Sequence, residues 1–150
     1  MGRSNHERVS EVNRELKQIG YRTWFDEERM QGNIHDAMTE GIEKTKCVIV
    51  FLTKKYIEKV NGNDETDNCK LEFNYAFIRK KLIVLVVMEE EAKEAMKIGV
   101  LGMKIGAKLY IDMSRELKIG ELVEQLKRQE IHLNNVKTNF LSLFPCVVKA

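Results

Sequence analysis

Glu72 is the residue of this chain whose setting most needs a chemical explanation. It lies in Asn68-Cys69-Lys70-Leu71-Glu72-Phe73-Asn74-Tyr75-Ala76-Phe77-Ile78, a helical segment placed between two strongly β-branched runs. At about 100° per residue, Ile78, Leu71, Tyr75, Ala76, Cys69, Phe73 and Phe77 share one broad arc, and Lys70 and Asn74 take the wet side. Glu72 falls inside the apolar arc. A carboxylate there is costly unless it has partners or lines a polar cavity. Two readings stay open: a working acid, or an acid in the first helical turn behind a cap at Asp67 or Asn68. In the second, the helix dipole would favour the charge by about 0.3 to 1 kcal/mol.

The remaining reactive side chains form no second constellation. Asp26, Glu28 and Asp36 read as a solvated loop and a helix start rather than a metal site, so no metal is expected. His6, His35 and His132 are far apart, and none is paired with a nucleophile at a familiar spacing. No GxxxxGK or GxGxxG follows a strand, and Gly99-Val100-Leu101-Gly102 is too weak to suggest nucleotide triphosphate or hydride chemistry. Cys47, Cys69 and Cys146 are too few and scattered for a disulfide framework or a zinc site, which fits a reducing compartment. With 25 basic and 23 acidic residues and no basic stripe, nucleic acid is not an expected partner. The polar start from Met1 to Glu11 and the shortness of the apolar runs predict neither a signal peptide nor a membrane span, hence a cytoplasmic protein.

The elements that must position Glu72 can be read from periodicity. At 150 residues and 43% hydrophobic content the chain suits one domain with one respectable core. Val9, Val12, Leu16 and Ile19 mark a helix ended by Gly20, and Tyr21 to Phe25 reads as a strand closed by Asp26-Glu27-Glu28. A loop over Arg29 to Asn33, with Gly32 as a natural site for positive φ, leads to a helix with Ile34, Met38 and Ile42 on its inner stripe. Cys47 to Leu52 and Leu82 to Val87 are unbroken apolar runs, as expected of parallel strands buried on both faces. Lys54 to Val60 is a short helical turn, and Asn61 to Asn68 a polar loop before the Glu72 helix. Glu89 to Met96 suits a short acidic helix; the glycines at 99, 102 and 106 loosen the approach to a last strand, Ala107 to Ile111. A closing helix carries Leu117, Leu122, Val123 and Leu126, with Asp112 or Ser114 as its cap. This alternation predicts an α/β fold with a doubly wound, flavodoxin-like parallel sheet, whose ligands collect at the carboxyl ends of the strands.

Three blocks together resemble a Toll/interleukin-1 receptor (TIR) domain over roughly Asn5 to Glu130. Gly20 to Ile34 is similar to that family's second strand and BB loop, Gly41 to Tyr56 to its central strand and exit, and Cys69-Lys70-Leu71-Glu72-Phe73 with Ala76 and the following strand to its third helix. In the NAD-cleaving branch, a glutamate early in that helix and a few residues after a cysteine is catalytic, a position matched by Glu72. The resemblance also matches Asp26 to the aspartate closing the second strand and Gly32 to the small residue of the BB loop. It implies contacts to NAD, as substrate rather than cofactor, from Asn5, Trp24, Asp26 and Cys69. Trp24 could stack an aromatic ring, although a strand tryptophan is more often core. Self-association would run through Arg29, Met30, Gly32 and Asn33.

The implied chemistry is coherent. Nicotinamide leaves NAD as a neutral molecule and needs no proton, so one carboxylate beside the oxocarbenium-like ribose can suffice where ordinary glycosidases use two. Two functions follow as expectations: a signalling NAD hydrolase with Glu72 as its catalytic carboxylate, or a TIR module that only makes homotypic contacts. One departure from the family stands out, since Met1 to His6 leads straight into the first helix where an interior strand is expected. In a 2-1-3-4-5 order that loss would leave an open slot with unpaired backbone groups on both neighbours. The expectation is therefore an N-terminally incomplete domain over 1–130, followed by an unassigned tail over 131–150. The apolar stretch Phe140 to Val148, broken by Pro145, is the single candidate to enter the slot.

Overall fold

The computed structural model describes residues 3–25, 34–129, 131 and 140–144. Helix α1 (Asn5–Ile19) starts at Ser4, whose side chain accepts from the Glu7 amide, and stops at Gly20 at φ 125°, where the amide donates to the Leu16 and Lys17 carbonyls. That positive φ is strained for residues with a Cβ. Strand β1 (Arg22–Phe25) follows, then α2 (Ile34–Lys44) and β2 (Cys47–Leu52), every residue of which is buried. After β2 come α3 (Lys54–Asn61), α4 (Asn68–Ile78) and β3 (Leu82–Val87). The short α5 (Ala92–Ala95) and α6 (Gly99–Ile105) precede β4 (Tyr110–Asp112), α7 (Ile119–Arg128) and β5 (Phe140–Phe144).

The five strands form one parallel sheet in the order β1-β5-β2-β3-β4. This corrects the expected open slot: Phe140–Phe144 lies between β1 and β2 and pairs with both. Physically, the slot is an apolar trough edged by unpaired amides and carbonyls, and a short apolar strand satisfies both needs at once. The stretch named as the candidate for the slot thus contributes an interior strand.

Alternation along the strands divides the core into two layers. Phe25, Leu143, Ile49 and Val84 stand in one row across β1, β5, β2 and β3, facing α1 and α7 with Val12, Leu16, Leu122 and Leu126. On the opposite face Val48, Val50, Leu85 and Val87 meet Tyr56, Ile57, Phe73, Ala76 and Leu101 from the central helices. Helices on both faces of a parallel sheet make the doubly wound arrangement expected from the sequence.

Two local readings change. The glycine-bearing stretch before β4 is helical: Asn61 of α3 accepts from the Leu101 amide at 2.8 Å and donates to the Ile98 carbonyl at 3.0 Å, capping α6 from a distance. Gly102 permits close packing there, since a Cβ would stand 2.3 Å from the Lys97 carbonyl. Asp112 and Ser114 do not cap α7, which begins five residues after Ser114 at Ile119. Instead Asp112 folds the turn leaving β4, accepting from the Ser114 amide at 2.9 Å and hydroxyl at 2.6 Å.

Candidate active site

The position of Glu72 follows from the course of α4. Asp67 caps this helix by accepting from the Lys70 amide at 3.0 Å, and Arg79 at its far end leads into β3. Because β3 starts at the amino edge of the sheet, α4 descends from the carboxyl edge. Glu72, the fifth residue of α4, is therefore about 6 Å along the axis from Asn68, at 1.5 Å per residue. That is beyond the first turn, which contains no acid, so the dipole-stabilised reading does not apply.

The buried stripe of α4 is narrower than its sequence suggests. It consists of Cys69, Glu72, Phe73 and Ala76, whereas Phe77 is partly and Ile78 largely exposed. Glu72 is only 2% exposed. One flank of α4 reaches α2, where Arg79 Nε meets Glu43 at 2.7 Å and the Tyr75 hydroxyl donates to the same carboxylate. The other reaches α6, where Lys104 Nζ lies 4.9 Å from the Phe77 ring centroid and 2.9 Å from Asn74 Oδ1. By helical angle Glu72 sits on the α2 side of the buried stripe, with Cys69 one turn above it. The helix also touches β5. A carboxylate so enclosed can stabilise a cation at short range, since low dielectric strengthens the interaction.

Other expected site residues are engaged elsewhere. Asn5 Nδ2 donates to Glu89 Oε2 at 2.8 Å, and its Oδ1 accepts from Arg8 at 3.2 Å. Glu89 Oε1 also accepts from the Lys54 amide at 2.8 Å, so this acid at the exit of β3 ties the start of α1 to the start of α3. Arg8 adds bonds to the carbonyls of Met88, at 3.1 Å, and Met113. This network leaves no local signature, because Glu89 opens an acidic triplet that reads as a solvated helix start; only its place at a strand exit sets it apart. Trp24 is half-buried on β1, in the row with Ser142 and Val48, and the Lys44 ammonium lies 5.7 Å from its ring centroid. Lys44 ends α2 just before β2 begins, which puts this contact toward the amino edge rather than the ligand edge.

Asp26, Arg29, Met30, Gly32 and Asn33 lie outside the described residues. Of the expected site, Cys69 and Glu72 are thus brought together on one stripe. Burial pushes the Cys47 thiol up to about 12, which makes it an inert core residue. Among the described residues no group of three His, Cys, Asp or Glu side chains could hold a metal ion, and no helix is long and apolar enough to cross a membrane. Two surface depressions, one against β4 and α7 and one between α1 and the turn after β4, are not lined by Glu72.

A parallel doubly wound sheet with a buried acid descending from its carboxyl edge defines an α/β domain of the flavodoxin-like class. The family model described as TIR domain matches residues 2–128, and the chain belongs to that family. It is therefore a TIR signalling protein, of a family whose members interact through TIR–TIR contacts. No curated protein and no solved structure matches the chain.

Proposed function

We propose that this TIR domain hydrolyses NAD at the nicotinamide–ribose bond, with Glu72 as the catalytic carboxylate. The observation that supports this most is the burial of Glu72, 2% exposed, beside Cys69 on the inner stripe of α4. In this reading its carboxylate hydrogen-bonds the ribose hydroxyls and stabilises positive charge as nicotinamide leaves, and water then takes the ribosyl carbon to give ADP-ribose. NAD is the substrate and no further cofactor is required. Asp26 and Cys69 would border the ribose, and association through Arg29, Met30, Gly32 and Asn33 would assemble the active form. Asn5 would reach NAD only after releasing Glu89. Trp24 would contribute through β1 rather than by stacking.

The test is nicotinamide release by the purified chain at high protein concentration, against Glu72→Gln. Turnover is expected to drop by a factor of about 100 or more, the usual scale for losing such a transition-state contact, with circular dichroism unchanged. Equal release by the variant rejects Glu72 as catalyst. Absence of release from the parent chain assigns the domain to homotypic contacts alone.

A further inference from the structure

We propose that Phe140–Phe144 is the docking strand of the candidate site: it decides whether β1 and α2 are held in register beside α4. Among the described residues β5 is the strand partner of β1, through Arg22 with Phe140, Thr23 with Leu141, Trp24 with Ser142 and Phe25 with Leu143. β2 pairs with β5 and β3, not with β1. Removing β5 would therefore strip β1 of its ladder while leaving the six-residue ladder of β2 and β3 whole.

Three further contacts converge on this strand. The buried Ser142 hydroxyl donates to the Gly41 carbonyl of α2 at 3.2 Å, so β5 grips the helix that follows the 26–33 segment. Helix α4, which carries Glu72, packs against both α2 and β5. Leu141 and Leu143, both fully buried, fill the layer under α1 and α7. The rest of the attachment of β1 lies mainly on one face, where Tyr21 and Phe25 pack toward α1 and the Thr23 hydroxyl donates to Asn13 at 2.5 Å; on the other face the Lys44 ammonium stands 5.7 Å from the Trp24 ring centroid. α1 itself is fixed at the other side of the sheet, through Arg8 on the carbonyls of Met88 and Met113, one residue past β3 and β4. With β5 withdrawn, β1 would lose its ladder and keep chiefly its contacts with α1, and β1 and α2 would lose the strand that sets them in register beside α4. The strand that comes last in sequence is thus the positioning element for a segment that comes near the beginning.

The chain carries its own reporter, because Trp24 on β1 is its one tryptophan. In the full chain, Leu143→Asp puts a carboxylate into a fully buried site and should expel the strand. Exchange of the β1 amides that turn toward β5 is expected to accelerate by about a hundredfold or more, with that at Val84, Leu85 and Val86 changing less than about threefold, and Trp24 emission should shift to the red. Leu143→Ile, which conserves volume, should leave all three readouts at parent values. Unchanged β1 exchange in Leu143→Asp overturns the proposal, as does equal acceleration in β1 and β3, which would make β5 part of one indivisible fold. Loss of β1 protection in Leu143→Ile would overturn it as well. These readouts need no turnover. The activity arm alone rests on the NAD reading: nicotinamide release should fall together with the Trp24 shift, and a fall without that shift counts against the docking role.

Discussion

The two halves of the sheet are built on different terms. β2, β3 and β4 follow one another in the chain, and six consecutive residue pairs join Cys47–Leu52 to Leu82–Val87. β1 and β5 come from opposite ends of the described chain, and four pairs join them. Every residue of β2 is buried, while β1 grades from an exposed Arg22 to a buried Phe25. Ordering β5 closes a long loop for a short ladder, whereas β3 closes a shorter loop for a longer one. The half that leads into the 26–33 segment is consequently held with less local redundancy, as is usual for elements that must adjust around a ligand or partner. Glu72 stands on the helix that bridges the halves, since α4 runs into β3 and also packs on α2 and β5.

The strongest way to break this contrast is to remove what the halves share. Ile49 lies in the row Phe25–Leu143–Ile49–Val84 and is fully buried. Ile49→Ala is expected to cost about 2 to 5 kcal/mol through lost transfer energy and the cavity left behind. The loss should appear in chemical denaturation, with amide protection falling in β1 and β3 alike. A variant that loosened β1 and spared β3 would show that β2 is not the common keel of the sheet.

How much of this could be read from the sequence differs between the halves in the same way. Cys47–Leu52 and Leu82–Val87 announced themselves because strands buried on both faces leave unbroken apolar runs. The Gly20 stop was visible, and the cap of α4 was narrowed to Asp67 or Asn68, because each is one residue doing a local job; the structure puts the cap at Asp67. Phe140–Phe144 was legible only by elimination, as part of the one apolar stretch left to enter the slot, because five residues beside a proline carry no periodicity that distinguishes an interior strand from a loose tail. What selects β5 is the unpaired edge of β1 and β2, a property of the folded neighbours. Helix α6 escaped for a related reason: its capping group, Asn61, is about forty residues away, and local propensity counts Gly99 and Gly102 against it. At the candidate site, burial of Glu72 was legible from the stripe on α4, and the occupation of Asn5 by Glu89 was not, since partners distant in sequence leave no local signature.

A smaller change sharpens the contrast from the ordered side. Asn61→Ala removes the side chain that accepts from the Leu101 amide and donates to the Ile98 carbonyl. Ile98, the residue at the cap position of α6, provides no such bond of its own. The expected cost is about 0.5 to 2 kcal/mol, the usual range for a lost N-cap. Exchange should quicken at Leu101 and its neighbours in α6, while Trp24 emission stays fixed. A shift in Trp24 would mean that α6 and β1 communicate across the sheet, against the separation of the halves.

The smallest effect concerns the turn after β4. The Ser114 hydroxyl and amide and the Lys93 ammonium, 2.9 Å from Asp112, hold the Asp112 carboxyl well below the usual carboxylate range. A depressed folded-state value means that the unfolded chain takes up the proton first as pH falls. The contribution of Asp112 is thus fully present above its ordinary value of 3.8 and is lost progressively as pH drops below it toward the folded value. Asp112 is partly exposed, so solvent screening keeps the contribution small. Asp112→Asn should lower stability slightly near neutral pH and flatten the acid limb of the pH–stability curve below about 4, as expected when a titrating carboxyl is removed. An acid limb identical to the parent's would show that the Asp112–Ser114–Lys93 cluster fixes the course of the turn without adding a pH-dependent term to the ordered half.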